Sequence, residues 1–126
     1  MPLMTSSKSP ELQPGSIALV SFPFTDLPIL KKRPALIIKR HQFHALGVMY
    51  WAAMITSQIE TLAEASDVDV TDWNSAGLLT PSRIRLGIIA TIKSELVQKQ
   101  LGVLSKTDFT SVRLTWSDLT KDWLSS

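Results

Sequence analysis

The chain has 126 residues, 44% of them apolar and 19% charged, with seven prolines, five glycines and no cysteine. This length corresponds to one domain that can bury a core without staples, and the lack of cysteine excludes disulfides and thiolate metal sites. The N-terminal stretch MPLMTSSKSPELQPGS lacks the apolar segment of a secretory signal, and no run approaches the roughly 18 apolar residues of a membrane span, so a soluble cytoplasmic protein is expected.

The formal net charge of +2 is unevenly spread. Residues 1–57 hold six Lys or Arg against two Asp or Glu, residues 58–82 none against five, and residues 83–126 seven against four. If folding brings the two basic thirds together, a field suited to phosphate results on one side. An ordinary mixed surface fits the same counts.

Residues 1–13 are polar, contain Pro2 and Pro10 and have no periodicity, so they read as a disordered arm before a single domain over 14–126. Pro14-Gly15 marks a turn. Ser16 to Phe22 is a short β-rich run that Pro23 limits. A loop follows, containing Pro28 and ending in three cations, Lys31, Lys32 and Arg33. After Pro34, ALIIK reads as a buried strand, Lys39 to Gly47 as a polar connection, and Val48 to Thr56 as a long apolar strand. Residues 66–72 alternate with period two, as an edge strand with one wet face does. Asn74 to Gly77 and Pro81 mark turns, and Ser82 to Ile92 is a strand interrupted at Gly87, where a bulge or a close backbone approach is expected. Residues 94–101 read as a short helical turn leading to a last strand near Gly102 to Leu104.

The final segment is helical. Ser105 can cap it, Asp108 sits in its first turn, and Phe109, Val112, Trp116, Leu119 and Trp123 recur at alternating spacings of three and four. Strands first and a closing helix predict a mainly β, α+β fold: a small curled sheet with a helix laid on it, of the SH3-like barrel kind.

Few chemistries fit. His41 and His44 have no carboxylate at ligand spacing, so no metal and no other cofactor is expected, and in a polar connection the two read as plain loop residues rather than an acid–base pair. No GxSxG elbow, Walker A loop or dinucleotide fingerprint is present. What remains are arginines and hydroxyls at strand ends. Arg33 precedes Pro34 and is pushed to extended backbone. Thr56 and Ser57 end the longest apolar strand, and Arg83 and Arg85, two apart, share a strand face. Guanidinium groups beside hydroxyls suit a phosphodiester, because each can grip two phosphate oxygens and stabilise charge on a pentacoordinate phosphorus. The same spacing fits a set of solvated strand ends. Tyr50 and Trp51 point to opposite faces of their strand, so one of them can face solvent and stack a base, although core packing is the commoner fate.

Five pieces in order, PGSIALVSFPFTD, KKRPALII, AAMITSQ, GLLTPSRIRLGIIATI and LGVLS, make the sequence similar to the MazF/PemK family of toxin–antitoxin ribonucleases over residues 14–124. The resemblance implies a MazF/CcdB-like barrel with a C-terminal helix, a homodimer, and metal-independent, sequence-selective cleavage of single-stranded RNA. It also implies a cognate antitoxin whose acidic tail occupies the RNA groove, with contact to operator DNA only through that antitoxin. By the same resemblance Arg33, Thr56 and Arg85 are the catalytic set, the loop over residues 24–33 covers the groove, and Lys31, Lys32, Ser57 and Arg83 join the substrate-binding set. One position departs from the family. Gly87 stands where members commonly carry an acidic residue, so the carboxylate that would take the ribose 2′-OH proton is missing. Asp26 is a candidate substitute. The alternative is a MazF-like protein that binds RNA, a peptide or another enzyme such as a topoisomerase without cutting.

Overall fold

The computed structural model describes residues 11–22 and 31–125. Within them the chain forms β1 (Ser16–Phe22), β2 (Lys31–Phe43), β3 (Gly47–Thr56), β4 (Asp67–Asp69) and β5 (Arg83–Lys93). A 3₁₀ turn over Ser94–Leu96, β6 (Val97–Val103) and α1 (Lys106–Ser125) complete it. The strands make one antiparallel sheet in the order β4-β5-β3-β2-β1-β6.

The expected mainly β fold with a closing helix is present, although the sheet stays open between β4 and β6. Packing rather than pairing brings those two edges together. The connection after β4 lies against β6 so closely that a Cβ on Gly77 would meet the Leu101 carbonyl, and one on Gly102 the Ala76 carbonyl. Gly77 also has a φ of +86°, which side-chain-bearing residues rarely adopt.

Apolar residues on both faces are buried, because each face is covered. On one face Ile17, Leu36, Ala53, Ile55, Ile84 and Leu86 pack under the connection after β4 and the first half of α1. On the other, Ala18, Val20, Ala35, Ile37, Tyr50 and Ile92 pack with Leu12. Leu12 is fully buried and its backbone N–H donates to the Tyr50 hydroxyl at 3.1 Å, so Leu12 belongs to the packed fold. The rest of the expected arm, residues 1–10, lies outside the described residues, as does the whole connection between β1 and β2, residues 23–30.

The extents of three strands differ from the sequence reading. β2 begins at Lys31 and runs through Phe43, so Lys31 and Lys32 are strand residues opposite Phe22 and Ser21, and the polar KRHQF is strand rather than connection. β4 is only three residues long, and β6 starts at Val97, five residues before the expected strand. Polar composition hid both ends of β2 and all of early β6, since neither segment has a consistently buried face there.

Two irregularities flank β3. Between Ile37 and Lys39 the β2–β3 register shifts, and between Met54↔Arg85 and Ala53↔Ile89 the β5 strand carries extra residues around Gly87. The bulge at Gly87 is the one its glycine foretold. The Leu86 N–H donates to the Ser66 carbonyl there, and a Cβ at position 87 would stand 2.9 Å from the Ser66 hydroxyl.

The helix starts where expected. The Ser105 hydroxyl accepts the Asp108 N–H at 3.2 Å, which caps the first turn. The Asp108 carboxylate, buried at 1% exposure, accepts the backbone N–H groups of Thr71 (3.0 Å) and Asp72 (2.8 Å) and so pins the helix start to the end of β4. Phe109, Val112 and Trp116 pack against the sheet, whereas Leu119 and Trp123, on the same stripe, are exposed. An apolar groove of about 400 Å³ lies between α1 and the strands, lined by residues that include Leu36, Ile38, Leu86, Phe109 and Trp116.

Candidate functional site

Strand register decides which candidates meet. Ala35 lies opposite Met54, Met54 opposite Arg85, and Thr56 opposite Arg83. Side chains alternate along a strand and directly opposed residues share a face. Arg33, Thr56, Arg83 and Arg85 therefore all belong to one face of the sheet, at the end where β2 begins and β3 ends. The neighbouring residues Pro34, Ile55 and Ser57 belong to the other.

A pocket of about 460 Å³ opens at this end of the sheet. Arg33, Ser57, Thr80, Ser82 and Lys99 are the polar residues of its lining, over an apolar floor that includes Leu19, Pro34 and Ile55, so it lies mainly on the face opposite Thr56 and Arg85. Lys99 arrives there because Leu19 of β1 pairs with Pro34 on one side and with Lys99 on the other. Two cations and three hydroxyls around an apolar base describe a site that can hold a phosphate and one flat ring.

Thr56 sits just behind the pocket, buried, with its Oγ1 accepting the Gln58 N–H at 3.1 Å. Arg85 and Arg83 are engaged by carboxylates. Arg85 Nη1 donates to Asp67 Oδ2 at 2.9 Å, and that oxygen also accepts the Glu64 N–H at 2.8 Å. Arg85 retains 22% side-chain exposure while Asp67 has 2%. Arg83 is more completely committed: its Nε donates to Asp69 Oδ1 at 2.6 Å, its Nη1 to the Thr61 carbonyl at 3.0 Å and its Nη2 to the Ile59 carbonyl at 3.4 Å. The hydrogen bond and charge of Asp69 raise its already high pKa, against the opposing effect of burial. Arg83, expected in the substrate-binding set, is thus the tie that fastens the segment after β3 to β4.

Lys31 and Lys32 are exposed at the start of β2, and neither lines the pocket. Gly87 presents no side chain, and Asp26 lies outside the described residues. Sequence reasoning missed Lys99, Thr80 and Ser82. It also missed Asp67 and Asp69, for which a signal existed: two carboxylates two apart on one expected strand match two arginines two apart on another.

A model of PemK-like, MazF-like toxins of type II toxin–antitoxin systems matches residues 13–116. The chain belongs to this family. Solved MazF structures share its fold at low identity. A Mycobacterium tuberculosis toxin, MazF-mt6, is 22% identical, with 82% of this chain and 93% of that one covered at a TM-score of 0.63. An endoribonuclease in complex with its cognate antitoxin, from a mycobacterial species, is 14% identical over 86% of this chain and 93% of its own, also at 0.63. MazF from Deinococcus radiodurans is 14% identical over 85% and 94%, at 0.60. No curated protein sequence gives a significant match. At such identities the MazF structures establish the common fold, and family membership rests on the match over residues 13–116.

Proposed function

We propose that this MazF-family chain is a sequence-selective endoribonuclease toxin that cuts single-stranded RNA without a metal ion, in the cytoplasm, and is neutralised by a cognate antitoxin. The observation that carries the reading is the family match over residues 13–116, which includes Arg33, Thr56 and Arg85. Their common sheet face adds support, as does the fold shared with an endoribonuclease solved with its antitoxin.

In this reading the RNA backbone enters beside the pocket. The ribose 2′-OH gives its proton to solvent water as its oxygen attacks the adjacent phosphorus, the bond to the 5′ oxygen of the next nucleotide breaks with that oxygen taking up a proton, and a 2′,3′-cyclic phosphate is left. Arg33, on the same sheet face as Thr56 and Arg85, stabilises charge gathering on the phosphoryl oxygens. Thr56, whose oxygen already accepts the Gln58 N–H, has its hydroxyl proton left for a phosphate oxygen. Arg85, oriented by Asp67 and still partly exposed, is the donor placed to protonate or hold the departing oxygen. Ser57 and Lys31 and Lys32 at the β2 entrance guide the strand. The exposed apolar end of α1, with Leu119, Trp123 and Leu124, supports assembly as a homodimer.

Two observations favour a second reading, a MazF-like protein that binds without cutting. No carboxylate stands at position 87 to accept the 2′-OH proton, and Arg85 is ion-paired. Incubating the purified protein with a long single-stranded RNA in excess chelator, beside Arg33→Ala, separates the two. Recurring cuts that vanish in the variant support the nuclease, and intact RNA that the protein nevertheless retains supports the binding protein.

A further inference from the structure

Tyr50 and Trp51 have separate fates. Tyr50 is buried under Leu12, but Trp51 is 36% exposed on the opposite face, and it does not stand alone. The register shift after Ile37 turns Lys39, His41 and Phe43 onto the face of Trp51. The His41 ring lies 4.8 Å from Trp51 in a tilted contact and 5.5 Å from Phe43 in a stacked one, with planes 25° apart. Phe43 is 40% exposed. Cross-strand pairing then sets two cations beside these rings. One row reads Lys39, Trp51, Thr91, and the next reads His41, Met49, Lys93. Neither row contains a carboxylate, and among the described residues neither lysine makes an ion pair.

We propose that this aromatic and basic patch at the β2–β3 turn is a second contact for single-stranded RNA, where a base stacks on Trp51 or Phe43 and Lys39 and Lys93 hold the flanking phosphates. A wedge of packed rings is rigid before the ligand arrives, and every base offers a face to it, so such a platform binds without regard to sequence. Flanking lysines supply the electrostatic part that single strands require. The patch is separate from the pocket. His41 is eight residue steps along β2 from Arg33, roughly 26 Å at the rise of an extended strand. It is a site for holding a strand, not for cutting it. The proposal rests on RNA being the ligand of this protein.

The test uses Arg33→Ala as the uncut background and measures binding of fluorescent unstructured oligonucleotides of about 4 and about 16 nucleotides, the span over which single-strand sites commonly range. Adding Trp51→Ala is expected to weaken the longer oligonucleotide about tenfold and to leave the shorter one unchanged, with Trp51→Phe restoring most of the loss. Lys39→Glu with Lys93→Glu is expected to lower the slope of log affinity against log salt by about 1.4, from two phosphates at about 0.7 each. Unchanged binding of the longer oligonucleotide by these variants, when the parent binds it well, overturns the patch and leaves the RNA reading intact. No binding of either oligonucleotide by the parent removes the RNA reading and the patch with it. Conversion from dimer to monomer by Trp51→Ala, seen in light scattering, would assign the patch to contact between copies and also overturn the proposal.

Discussion

Among the described residues, Asp108 is the carboxylate whose removal should most loosen the start of the helix. Asp108→Ala takes away the acceptor for the Thr71 and Asp72 N–H groups, which lie at 3.0 and 2.8 Å in a region shielded by α1. Each hydrogen bond to a charged acceptor contributes about 1.5–3 kcal/mol. The expected loss is therefore about 3–6 kcal/mol, a large share of the 5–15 kcal/mol typical of a domain. The Ser105 cap should survive, because it uses the backbone N–H of residue 108 rather than its side chain. Asp108→Asn keeps one acceptor oxygen and turns an NH₂ toward the other donor, so its loss should be about half as large. In urea unfolding, with a slope near 2 kcal/mol/M, Asp108→Ala should move the midpoint down by about 2 M without changing the slope. A loss below about 1 kcal/mol for Asp108→Ala would refute the clamp, as would equal losses for the two variants.

Other substitutions reach the site more directly. Arg33→Ala should abolish RNA cleavage with an unchanged circular dichroism spectrum, and Arg33→Lys should recover only part of it, since an ammonium cannot grip two phosphate oxygens; product mapping on a gel reads both. Gly87→Asp should raise cleavage by up to about 10² if the missing base limits the rate, because the new Cβ meets only the Ser66 hydroxyl, which can rotate aside. Gly77→Ala should destabilise by about 2 kcal/mol or more, measured by thermal unfolding, as φ is +86° and the Leu101 carbonyl occupies the space. Asp67→Asn should weaken the hold on Arg85 and cut activity more than stability, if Arg85 works on the RNA; an activity loss no greater than the loss of folded protein would remove Arg85 from the mechanism.

Local patterns gave away most of the strands and the helix. Ser16–Phe22 was legible to the residue because both of its faces are apolar, and the bulge in β5 was legible from a lone glycine in a strand. β6 was not, since VQKQ has only its first residue buried and its partner in β1 lies some eighty positions away. That single misplacement hid Lys99 from the site. The Asp108 clamp was equally hidden: its place in the first helical turn explained it locally, and nothing near it in sequence announces donors 36 and 37 residues earlier. Arg83 and Arg85 were found by type and spacing, but their engagement by Asp69 and Asp67 depends on β4 lying beside β5, which only the fold decides.

The two register shifts beside β3 amount to a crease across the sheet. One interrupts the ladder with β2 after Ile37, the other the ladder with β5 around Gly87, opposite Ala53 and Met54. Register on one side of the crease is thus insulated from register on the other. A residue gained or lost near the β2–β3 turn would be absorbed at the Ile38 bulge before it could displace Arg33 or Thr56, so the two ends of the sheet are free to diverge at different rates.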